Sequence, residues 1–106
     1  AFWDGVRLTL TPAYDICPQL RVGGETAQAM AIGRDGSRLS RFEVCIDSAS
    51  VYHLSTREAR DLVDHQVTTI RDHWADAAEV ALLTTSQRDA LWGRQILNPF
   101  AFEGLG

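Results

Sequence analysis

Hydrophobic and polar positions change their spacing partway along this chain, and the change divides it in two. Before residue 39 the apolar side chains recur at alternate positions in short runs, the period of an extended strand. Val6, Leu8 and Leu10 alternate with Arg7 and Thr9 behind the turn dipeptide Asp4-Gly5, which predicts a half-buried strand of a β-hairpin. Its partner strand should precede Asp4, where only Ala1, Phe2 and Trp3 stand. The hairpin is therefore expected to be incomplete, and the chain to open in mid-fold. Thr11-Pro12 ends the strand, and Ala13-Tyr14-Asp15-Ile16 leads into Cys17-Pro18. Gly23-Gly24 predicts a turn, Thr26 to Ile32 a strand, and Arg34-Asp35-Gly36-Ser37 the turn that closes it.

From Leu39 the period lengthens to about 3.6, that of a helix. Ser40 with Glu43 has the spacing of a capping box and predicts a helix carrying Phe42, Val44, Cys45 and Ile46, ending near Ser50. Ser55 with Glu58 is a second box. Behind it Ala59, Leu62, Val63, Val67, Ile70, Trp74, Ala78 and Ala81 share one stripe, while Asp61, Asp64, Arg71, Asp72, Asp76 and Glu79 share the other face. A long amphipathic helix follows from that division. Ser86 with Asp89 predicts a third helix through Leu91, Trp92, Ile96 and Leu97, weakened by Gly93 within it and stopped at Asn98-Pro99. Phe100 and Phe102 should fold back onto the helices. The fold class expected is mainly α (α+β): a β-rich stub over residues 1–38, then a three-helix bundle over 39–106.

Composition narrows the function classes. A chain of 106 residues with 45% hydrophobic positions suits one small folded domain. Its net charge of -4 argues against a phosphate-tracking nucleic-acid binder. No apolar run is long enough to span a membrane, so a cytoplasmic protein is expected, with no membrane partner. All ten basic side chains are arginine. Lysine-dependent phosphate binding and Schiff-base chemistry are therefore excluded from this chain by itself.

Few residues offer chemistry. Asp61 and His65 stand four apart on the long helix, a possible metal pair, but no second pair matches them, and a solvated polar face is favoured. His73 reads as a boundary residue beside Ile70 and Trp74. Cys45 falls on an apolar stripe, where an inert core thiol is expected. Cys17 has no neighbouring base to activate it. Gly23-Gly24 and Gly33 lack the spacing of a phosphate cradle. Asp15 is different: a lone carboxylate after an extended segment must be capped, paired or bound to a metal. An Asx turn is the simplest of these.

The segment Leu8-Thr9-Leu10-Thr11-Pro12-Ala13-Tyr14-Asp15-Ile16, behind the Asp4-Gly5 turn, resembles the HipA-like serine/threonine kinases of bacterial toxin–antitoxin systems. Gln28 to Gly33 is similar to the strand that follows in that family, and Leu39 to Phe102 resembles its C-terminal helical lobe. The resemblance implies that Asp15 binds Mg²⁺ bridging the phosphates of ATP, with Tyr14 beside the nucleotide. It also implies that the catalytic aspartate, an asparagine metal ligand and the ATP lysine come from residues preceding this chain. The whole kinase would act on a protein substrate and pair with a DNA-binding, HipB-like antitoxin. This chain alone would be inactive and would bind no nucleic acid directly.

Two functions are thus expected. One is the C-terminal fragment of a HipA-like kinase, supplying a Mg²⁺-binding aspartate and the helical lobe. The other is a free-standing, non-catalytic helical module whose Ser55–Ala81 helix meets a partner protein. A zinc or nucleic-acid domain fails on ligands and on charge.

Overall fold

A computed structural model describes residues 1–14, 20 and 23–106. Among them stand a two-stranded antiparallel sheet and three α-helices, in the order β1 (Phe2–Trp3), β2 (Leu8–Thr9), α1 (Phe42–Asp47), α2 (Thr56–Val80) and α3 (Thr85–Leu91). Short 3₁₀ turns at Ala49–Tyr52 and Pro99–Phe102 follow α1 and α3. The described residues thus form a small mixed chain in which a two-stranded sheet precedes three helices.

The hairpin closes through two cross-strand pairs. Phe2 pairs with Thr9 and Trp3 with Leu8. The Asp4 carboxylate accepts hydrogen bonds from the Val6 and Arg7 amides, both at 2.9 Å, and so shapes the turn. The expected half-burial is absent: Trp3, Val6, Leu8 and Leu10 are 64–89% exposed. Side-chain alternation puts these four on one face of the hairpin, and no other described element covers it.

Thr26 to Ile32 does not form the expected strand. It is the first limb of an irregular arm, Thr26 to Ser40, with a single antiparallel bridge between Ala27 and Leu39. Gln28 N–H donates to Arg38 at 2.6 Å, Ser40 N–H to Thr26 at 3.0 Å and Ile32 N–H to Ser37 at 2.8 Å. The turn expected at Arg34–Ser37 is present, with the Asp35 carboxylate accepting from the Ser37 amide at 2.9 Å.

α2 matches its prediction most closely. Ser55 and Glu58 form the reciprocal capping box, and 25 residues without glycine or proline follow. Ala59, Val67 and Ala78 are buried along the predicted stripe. Ala59 joins Ile46 and Ala49 in the core, against which Leu54, Val63 and Leu105 pack. That core is thin. The Cα radius of gyration is 16.4 Å, where about 13 Å is expected of a compact chain of this size.

The caps of α1 and α3 depart from the sequence reading. Arg41, not Ser40, caps α1, and no side chain bonds the first turn. The Ser40 hydroxyl is taken by Gln28 Nε2 at 2.7 Å, which removes it from the cap. α3 begins at a box formed by Thr84 and Gln87. Thr84 already has extended geometry, so Ser86 lies inside the helix. The helix also ends earlier than expected, with Trp92 extended as its C-cap and Gly93 beyond it at φ +73°. Gly93 therefore terminates the helix rather than weakening its interior, because only a residue without Cβ adopts that conformation freely. Asn98-Pro99 opens the final 3₁₀ turn, with Asn98 Oδ1 accepting from Phe100 N–H at 3.0 Å. Phe100 and Phe102 fold back as predicted: Phe100 is buried, and Phe102 meets Phe42 edge-on at 5.2 Å.

Candidate functional site

Tyr14 closes the run that leaves β2, and its side chain is 82% exposed. Asp15, the metal ligand implied by the resemblance, lies outside the described residues, as does Cys17. The described elements on either side of it in the chain are the hairpin and the arm Thr26 to Ser40.

The arm meets α1 at a cleft of about 400 Å³ lined by Gly33, Asp35, Ser37, Arg41, Asp47 and Ser48. Gly33 fits tightly there, since a Cβ would crowd the Asp35 carboxylate and the Val44 side chain. Ser48, buried at the end of α1, places its hydroxyl 3.0 Å from the Val44 carbonyl and 3.3 Å from the Ile32 carbonyl. Arg41 is held from the other side, with Nη2 2.7 Å from Glu103 and the guanidinium 4.7 Å from the Phe100 ring centroid. No periodicity or motif marks Arg41, Ser48 or Glu103 in the sequence. Each gains its role from a partner distant in the chain or on another element.

A second, apolar cleft of about 280 Å³ lies between α1 and α2, lined by Ile32, Cys45, Tyr52, Leu54 and Leu62. Cys45 reaches the surface there rather than sitting in the core as its stripe suggests. α1 is only six residues long, and Ile46 is its buried position. Partial desolvation pushes the Cys45 thiol above its ordinary pKa, so it stays protonated near neutral pH and is a poor nucleophile.

The histidines gather no partners for catalysis. Asp61 and His65 are exposed on α2, as is His73. His53 ends the first 3₁₀ turn in the left-handed region, at φ 58°. Among the described residues no group of three or more His, Cys, Asp or Glu could hold a metal ion. No helix among them is long and apolar enough to cross a membrane. Comparison of the chain with protein-family models, with curated proteins and with solved structures finds no match.

Proposed function

We propose that this chain is the C-terminal part of a HipA-like serine/threonine kinase, which transfers the γ-phosphate of ATP to a serine or threonine of a target protein. The observation that carries the reading is the segment Leu8 to Ile16 behind the Asp4-Gly5 turn. Support comes from the hairpin whose second strand, Leu8–Thr9, opens the segment and from the helices that follow it. The uncovered face of Trp3, Val6, Leu8 and Leu10 is a further support, because a larger lobe would bury it.

In this reading Asp15 supplies one carboxylate to Mg²⁺, and Tyr14 lies beside the nucleotide. One carboxylate with phosphates and water is a donor set that Mg²⁺ accepts. When bound, the metal neutralises charge on the transferred phosphoryl group. The lysine, catalytic aspartate and asparagine that this chemistry needs come from the preceding part of the kinase. The partners are the protein substrate and a DNA-binding antitoxin, and the compartment is the cytoplasm.

A γ-phosphate transfer assay on the whole protein tests this. The 106-residue chain alone should transfer nothing, and the whole protein should transfer phosphate in the presence of Mg²⁺. Asp15→Asn in the whole protein should lower that activity about 100-fold or more. Whole protein that is inactive with its Mg²⁺ and ATP supplied, or indifferent to Asp15→Asn, would overturn the reading.

The second reading, a non-catalytic interaction module, draws on α2. Leu62 and Ile70 belong to its apolar stripe yet remain 48% and 39% exposed. A mass from the native source equal to the 11.7 kDa of this chain would favour it.

A further inference from the structure

We propose that the C-terminal strap, Asn98 to Leu105, and Ser48 together make α1 a strut that positions the arm Thr26 to Ser40. That arm follows the Asp15 segment in the chain, so the consequence for catalysis rests on the kinase reading above. α1 has six residues and no side-chain cap, far fewer than a helix needs to persist in water by itself. It is held from outside at both ends.

At its start, Arg41 is bonded to Glu103 and covered by Phe100, while Phe42 packs edge-on against Phe102. Gly104 admits the Glu43 carboxylate where a Cβ would collide with it, so the strap lies directly against the first turn. Leu105 packs on the cluster containing Ile46. At the far end, the Ser48 hydroxyl lies within reach of both the Val44 carbonyl of α1 and the Ile32 carbonyl of the arm. The arm also runs straight into the cap, with Arg41 N–H donating to Leu39 at 2.8 Å. Strap and arm thus act on the same short helix, and disturbing one should loosen the other.

Amide hydrogen exchange on the 106-residue chain reads this coupling. Phe102→Ala, and the milder Glu103→Gln, should speed exchange at the Gln28, Ile32 and Ser40 amides about tenfold. Val67 and Ile70, in the middle of α2, should be unchanged. Ser48→Ala should accelerate Ile32 without affecting α2. No acceleration in the arm, or equal acceleration throughout α2, overturns the proposal. In the whole kinase, Glu103→Gln should raise KM for Mg²⁺-ATP several-fold with kcat preserved, a split that general destabilisation would not produce. An unsubstituted whole protein without phosphate transfer defeats the kinase reading while the exchange result stands. An active kinase with an unmoved KM defeats the link from strut to site.

Discussion

Trp74 of α2 stacks on Trp92 at the end of α3, with ring centroids 6.4 Å apart and planes inclined by 25°. The contact ties α3 back to the long helix across the turn between them. It carries a defect, because Trp74 Nε1 is buried and has no acceptor among the described residues. Trp92→Ala should therefore cost about 1–2 kcal/mol, the stacking contribution plus part of the area that a half-exposed indole covers. Trp74→Phe keeps a ring and removes the unpartnered donor, so it should cost less than about 1 kcal/mol. Urea denaturation followed by far-UV circular dichroism gives both values, and a larger loss for Trp74→Phe would show that its N–H is bonded in solution.

Thr84 and Gln87 cap α3 reciprocally, at 3.2 Å for Gln87 N–H to Thr84 Oγ1 and 2.9 Å for Thr84 N–H to Gln87 Oε1. Thr84→Ala should destabilise the chain by about 1 kcal/mol, and Ser86→Ala should be nearly neutral. The reverse ranking in thermal melts would return the cap to Ser86 and Asp89.

Leu82 occupies the position after the end of α2 where glycine is usual. Its φ is 58°, and its side chain is 89% exposed. Its N–H reaches the Glu79 carbonyl, and the Leu83 N–H the Ala78 carbonyl, both at 3.0 Å. Leu82→Gly relieves the left-handed strain and sacrifices no packing, so a gain of about 0.5–1 kcal/mol is expected. A lower denaturation midpoint would mean that the leucine makes a contact elsewhere.

Acid should unzip the start of α2. The amide and hydroxyl of Ser55 both donate to the Glu58 carboxylate at 2.8 Å, and these bonds lower its pKa below the ordinary 4.5. The folded form therefore holds the proton less tightly than the unfolded one. The resulting stability is present above the unfolded pKa and is lost as pH falls through the lower folded value. Asp4 shifts in the same direction through the Arg7 and Val6 amides. Glu58→Gln, which keeps an acceptor oxygen, should flatten the Glu58 contribution to stability below about pH 5, measured by denaturation at stepped pH.

The hairpin offers the opposite kind of test. Replacing Leu8 and Leu10 with threonine removes exposed apolar surface and little internal packing, so stability of the 106-residue chain should change by no more than about 0.5 kcal/mol. Light scattering should show less self-association at high concentration. In a longer protein of the kind proposed, whose larger lobe would cover that face, the same pair should be destabilising.

What was legible in the sequence is local. The Asp4-Gly5 turn, the turn at Arg34 to Ser37 and the Ser55–Glu58 box each depend on residues within a few positions of one another. The 3.6 period of α2 persists over 25 residues, long enough to name its buried face. Where two boxes competed within one turn, as at Thr84 and Ser86, spacing could not choose, because both satisfy the same pattern. Ser40 lost its cap role to Gln28, twelve residues earlier.

Tertiary structure decided the rest. The exposure of the hairpin depends on what lies against it, which alternation does not encode. The joining of Arg41 to Glu103 spans 62 positions, and no periodic signal reaches so far. Ser48 looks like any serine near the end of a helix until Ile32 is placed beside it. Backbone preferences and capping are short-range forces and leave their record in neighbouring residues. Burial, ion pairing and ring contacts arise only when distant segments meet, and those contacts determine how α1 and the arm are held.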